Sequence, residues 1–213
     1  MIDILADRWK RLWQKLHIDI VPQFIFKELI QSYSSTDRFY HNLTHIHSCF
    51  SIFDQTKFLA VHPEEVELAI WFHDAIYDTR RDDNEQKSAE WAEKIISQSG
   101  LNSSAAERVS GLILATRHRT EASETDAQLM VDVDLSILGA DPEVFWRYEE
   151  NIRKEYAWVP ESLFQLKRAE ILRSFLNREY IYHHKQYRGM FEEKARSNLK
   201  QAVAKLSDAG SVL

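Results

Sequence analysis

The stretch Trp71-Phe72-His73-Asp74-Ala75-Ile76-Tyr77-Asp78 sets a His-Asp pair among apolar and aromatic residues, where a helix has no structural use for either polar group. An imidazole beside a carboxylate is a donor pair that divalent transition metals accept. Neighbouring side chains on an α-helix diverge by about 100°, so one ion can serve both only over their shared edge, and its other ligands must come from elsewhere. Two segments can supply them. Phe39 to His47 carries His41, His45 and His47, and Met130 to Ser136 carries Asp132 and Asp134 in an apolar frame. Any one of these residues alone would usually be a satisfied polar group in a helical core. Burying an unpaired carboxylate is costly, however, so Asp74 and Asp134 each require a cation or strong hydrogen-bond donors.

The order His, His-Asp, distant Asp resembles the HD superfamily of metal-dependent phosphohydrolases, and most closely the small bacterial proteins described only as predicted HD phosphohydrolases. The likeness runs from about residue 38 to the C-terminus. It is carried by Tyr40-His41-Asn42 with His45, Trp71-Phe72-His73-Asp74, Asp83-Asn84-Glu85 with Ser88, Asp132-Val133-Asp134-Leu135, Ile152-Arg153-Lys154-Glu155-Tyr156 and Ala195-Arg196-Ser197-Asn198. A bare His-Asp doublet is weak evidence, whereas the ordered set is specific to the family without specifying a substrate. The resemblance implies an all-α, single-domain HD-type helical bundle with His45, His73, Asp74 and Asp134 as metal ligands. Such a mixed N/O set suits Mn, Fe, Co, Ni or Zn better than Ca, with Mg as a further option and one or two ions.

By the same resemblance, the motif around His41 is similar to that of the cyclic-nucleotide phosphodiesterase branch, where the first histidine protonates the leaving oxygen. His41 is therefore the general-acid candidate, Asp74 or Asp134 orients the nucleophile, and Arg38 offers its planar fork to a phosphate oxygen. Further candidates are His118 for a second metal or a phosphate, Asp78 to orient a ligand or end its helix, and Glu85 toward a water on the metal or as a helix cap. Asp132 and Asp134 would point about 200° apart on a helix. Asp134 falls on the stripe of Met130, Val131, Ile137 and Leu138, and Asp132 on the more polar face of Gln128 and Ser136, where it can hydrogen-bond a ligand. The expected reaction is hydrolysis of a small phosphate ester or anhydride, with a nucleotide among the substrates. The alternatives are a catalytically silent nucleotide- or metal-sensing domain and, with His118 as an added ligand, an HD-type diiron oxygenase.

Composition bounds these readings. The 213 residues are 44% hydrophobic with 12% aromatics, enough for one core, and no Pro/Gly/Ser-rich stretch divides the chain. One domain over 1–213 is expected, with N-terminal helices in 1–35 packed on a metal-site core of 36–213. A net charge of −6 argues against long nucleic acid as a partner. The single cysteine, Cys49, excludes an intrachain disulfide and a cysteine-based zinc site. No signal-peptide pattern or membrane-spanning run is found, so a soluble, cytoplasmic setting is expected.

Apolar residues recur at three- and four-residue spacing, and only five Gly and four Pro occur, which predicts helices throughout. Leu5, Trp9, Leu12, Trp13 and Leu16 form a first stripe, and Phe24 to Tyr33 a second helix. Asn42 is the expected N-cap of the next, leaving His41 outside it and His45 in its first turn. Pro63-Glu64-Glu65 opens a central helix expected to carry Val66 through Ile76, His73 and Asp74 included. Later starts are read at Asn102 or Ser103 and at Asp141-Pro142, a stop at Gly100, a short helix from Leu129 to Gly139, and two last helices near Leu163 to Leu176 and Phe191 to Leu206.

Overall fold

In the computed structural model of the chain, residues 1–18 and 22–209 are described, and among them every regular element is helical. The expected all-α class is therefore observed. The chain groups into two units, Met1–Val133 and Asp134–Leu213. The first contains α1 (Ile2–Lys15), α2 (Gln23–Tyr33), α3 (Leu43–Thr56), α4 (Pro63–Phe72), α5 (Asn84–Gln98), α6 (Ser103–Ala115) and all of α7 (Thr125–Asp134) except its last residue.

Local chemistry explains most helix starts. The Asn42 side chain accepts the Thr44 amide at 2.8 Å and Asn102 accepts that of Ala105 at 2.7 Å, each supplying an acceptor to a first-turn donor that has no partner inside its helix. Pro63 occupies the first turn of α4 with Glu64 and Glu65 behind it, where a missing N–H costs nothing and negative charge is favoured. After α5, Gly100 adopts φ +89°, the left-handed conformation that ends helices.

Residues 65–72 of α4 are all buried, so this helix is the centre of the first unit. Trp71 meets Trp9 at 5.3 Å between ring centroids, edge to face, and Phe50 at 4.9 Å. Its two buried glutamates are held by arginines from flanking helices. Arg8 of α1 lies 2.9 Å from Glu67 and grips Asp54 of α3 through both oxygens, while Arg108 of α6 forks onto Glu65 at 2.6 and 2.7 Å. Asp126, in the first turn of α7, accepts the amides of Val61 and His62 just ahead of α4. That bond sets the start of α7 beside the start of α4.

The second unit contains a short 3₁₀ segment (Leu135–Gly139), α8 (Pro142–Glu155), α9 (Glu161–Leu176), the single turn α10 (Lys185–Tyr187), a π-helical turn (Arg188–Glu192) and α11 (Glu193–Ala209). Arg168 of α9 is pinned between Glu149 and the Tyr148 hydroxyl, and Asn198 of α11 donates to the Leu138 and Ala140 carbonyls, each at 2.9 Å. A methyl group on Gly139 would stand 2.5 Å from Phe191 Cβ and 2.7 Å from its carbonyl oxygen, so only glycine admits this approach.

Gly139→Ala is expected to destabilise the protein by about 1–3 kcal/mol through overpacking. Gly111→Ala, in an exposed helical site with open space around the added methyl, should stabilise it by roughly 0.5–1 kcal/mol. Urea unfolding of both variants checks the opposite signs, and equal effects would contradict the packing at Gly139.

Candidate metal centre

The α4 helix stops at Phe72 and not beyond Ile76 as its apolar pattern suggests; His73 is its C-cap, and Asp74 lies in the turn that follows. The cause is tertiary. The end of α4 is buried, and its carbonyls must find donors that the helix cannot supply. The Ala75 amide turns back to the Phe72 carbonyl at 2.9 Å, the Tyr33 hydroxyl donates to that of Trp71 at 3.0 Å, and the Arg38 guanidinium donates to Asp74 at 2.6 Å and Ala75 at 3.0 Å. Ser88 of α5 accepts the Ile76 amide. Burial, with the charge of Asp74 nearby, pushes the Tyr33 phenol well above its ordinary range, so it remains a donor.

This turn directs His73 and Asp74 at the first turn of α3. His45 Nε2 and His73 Nε2 stand 3.1 Å apart, and Asp74 Oδ2 lies 3.1 Å from the second and 3.5 Å from the first. The side chains of His45 and His73 are 3% and 1% exposed, and that of Asp74 is 16%. His73 Nδ1 sits 3.0 Å from the Ile70 carbonyl, which can only accept, so the network assigns the proton to Nδ1. In the neutral ring Nε2 then presents a lone pair to a carboxylate oxygen and to a second imidazole. That arrangement is satisfied when His45 donates its Nε2 proton to this lone pair, when a charged His73 donates to Asp74, or when a metal ion is shared among the three groups. Burial by itself would raise the Asp74 carboxyl, yet the charges of His73 and His41 and hydrogen bonds from His45 and His73 hold it well below the usual range.

The donors fit a metal ion. With metal–nitrogen bonds of about 2.1 Å, nitrogens 3.1 Å apart would subtend roughly 95° at a shared ion, close to the angle of an octahedral site. Ligand atoms of His45, Cys49 and His73 also lie within 4.8 Å of one another. Asp134 is the last residue of α7 and the first of the second unit. The structure thus brings His45, His73 and Asp74 to one locality, and it adds Cys49. A site built from several cysteines stays excluded, but the thiol in a mixed set was overlooked. Its signal was present: Cys49 follows His45 by four residues, one turn along the same face of α3.

Other expectations are corrected. Asp132 is fully buried rather than on a polar face, because Leu129 to Val133 are buried without interruption and α7 has no outward side along that turn. Arg38, 9% exposed, spends its fork on the carbonyls of the Asp74 turn and of His41. Asp78 accepts the Arg80 amide and its backbone pairs with Asn84, and Glu85 lies 3.6 Å from Arg117; both help shape the 78–85 loop. His118, at φ +53°, is not among the mutually close donors. Arg153 and Arg196 tie carbonyls and carboxylates within the second unit.

His41 stands outside α3 and stacks on Tyr77, centroids 4.1 Å apart. Tyr77 and Arg38 also border an open cleft of about 820 Å³ between α2 and α5, walled by Phe24, Ile76 and Trp91. None of the metal donors lines this cleft. No family model, curated protein or solved structure matches the chain. Among the described residues, no helix is long and apolar enough to cross a membrane.

Arg38→Lys keeps the charge but cannot hold two carbonyls in a fork. We expect it to cost about 2–3 kcal/mol, since hydrogen bonds to a buried charged group are worth roughly 1.5–3 kcal/mol each. A thermal melt decides: unchanged stability would return Arg38 to the role of a free phosphate ligand.

Proposed function

We propose that the chain is a metal-dependent phosphohydrolase of the HD type, acting on a small phosphate ester or anhydride such as a nucleotide. The observation that carries this reading is the convergence of His45, His73 and Asp74 within 3.5 Å, with His73 turned by the Ile70 carbonyl so that Nε2 faces the cluster. A divalent cation held there supplies Lewis acidity toward a phosphoryl oxygen and makes water a nucleophile near neutral pH.

The protein residues divide the remaining work. His45 and His73 hold the cation, and the resemblance to the HD superfamily adds Asp134 as a further ligand. Asp74, kept ionised by its histidine neighbours, orients the attacking water and takes its hydrogen bond. His41, outside the helix and backed by Tyr77, carries the proton that neutralises the leaving oxygen. Arg38 acts as a positioning residue, because its donors fix the backbone of Asp74 and Ala75. The cleft beside Tyr77 provides room for the organic part of a substrate.

His73→Ala and Asp74→Ala are expected to lose bound metal and all hydrolysis while remaining folded, as elemental analysis, circular dichroism and release of phosphate together would record. His41→Ala should keep its metal and lose about 10²–10⁴-fold in turnover. That loss should shrink on a nitrophenyl ester, whose leaving group needs no proton. Full metal content in both His73→Ala and Asp74→Ala would refute the site, and metal loss in His41→Ala would make that residue a ligand.

A further inference from the structure

The cleft between α2 and α5 has two facing walls of helix. Ile25, Glu28 and Ser32 line it from α2, and Trp91, Ile95 and Gln98 from α5; both sets recur at three and four residues, so each is one face of its helix. Lys94 joins the second wall, between Trp91 and Ile95. Two carboxylates and two cations thus reach the cleft, and one of each is already engaged. Asp37 accepts the Ser35 hydroxyl, and Arg38 spends its fork on the carbonyls of Asp74 and Ala75. Glu28 and Lys94 are left, one on each wall, and among the described residues neither side chain has a hydrogen-bond or ion-pair partner, the other included. Phe24, 70% exposed, and the half-buried Trp91 give the cleft apolar surface beside these charges.

We propose that this cleft binds a zwitterionic small molecule with an apolar body, the class of the apolar α-amino acids, with its ammonium on Glu28 and its carboxylate on Lys94. The volume of about 820 Å³ lies within the roughly 300–1,000 Å³ of small-molecule sites. A ligand of one charge sign gains from one wall and is repelled by the other, whereas a ligand carrying both signs gains from each. The hydrolase reading uses the Tyr77 end of the cleft, and the present site is the span between Glu28 and Lys94. None of the metal donors lines that span, so binding here needs no metal.

Chelator-treated full-length protein is titrated in a calorimeter with L-phenylalanine and L-leucine, and with phenylacetate and phenethylamine as probes that carry one charge each. At least one amino acid should bind with a Kd of about 1 mM or tighter. Each one-charge probe should bind about fivefold more weakly, the weight of one ion pair at a partly exposed site. Glu28→Gln and Lys94→Gln should each weaken amino-acid binding by a similar factor while their circular dichroism matches the wild type. No binding of either amino acid up to about 10 mM would overturn the proposal, as would unchanged affinity in both variants or equal affinity for a one-charge probe. Because no metal is present in the titration, its failure leaves the metal centre standing, and metal content unaffected by His73→Ala would refute that centre and leave this cleft standing.

Discussion

The carbonyl groups at the end of α4 have to be satisfied inside the protein, and this constraint organises the site. A helix leaves its last carbonyls without internal partners, and α4 ends where water is scarce. The required donors come from separate parts of the chain: the Tyr33 hydroxyl, the Arg38 guanidinium and the His73 imidazole, with Ser88 closing the turn at Ile76. Each bond that satisfies the helix end also fixes a piece of the candidate centre. Arg38 holds the backbone of Asp74, and the Ile70 carbonyl selects the tautomer of His73. Structure and chemistry share the same hydrogen bonds here.

Around that end the other helices act as rulers. Asn42 starts α3 so that His45 lies in its first turn, and His41 is left outside on Tyr77. Asp126 fixes the start of α7 beside the opposite end of α4, and α7 runs on to Asp134. The Arg8 and Arg108 ion pairs with Glu67 and Glu65 keep α4 from rotating, since turning it would strip buried carboxylates of their partners.

Much of the fold was legible in the residues because its causes are local. Asn42, Pro63, Asn102, Gly100 and Asp141-Pro142 act on backbone groups one turn away, and each marks an observed boundary or cap. The stop at Phe72 was not legible: Ala75 and Ile76 continue the apolar pattern, and the partners that end the helix lie more than thirty residues distant in Tyr33 and Arg38. Asp132 was misread because a periodicity argument needs a polar face, and α7 from Leu129 to Val133 has none. Cys49 was passed over because a lone cysteine was weighed as half of a disulfide or one of several zinc thiolates, when its position one turn from His45 was the relevant fact. Arg38 was rightly placed beside the histidine motif, yet no spacing rule reveals that carbonyls already occupy its fork.

The convergence of His73 Nε2, the Asp74 carboxylate and the His45 ring is the central claim, because it offers a divalent cation three donors within 3.5 Å of one another. Equilibrium dialysis of chelator-treated protein against zinc at neutral pH tests it most directly, read together with the melting temperature. The account predicts tight, saturable binding and a rise in melting temperature, equivalent to about 2.7 kcal/mol at a free zinc concentration one hundred times Kd. No retained zinc and an unchanged melt would mean that a proton alone occupies the space between these residues, and would contradict the account.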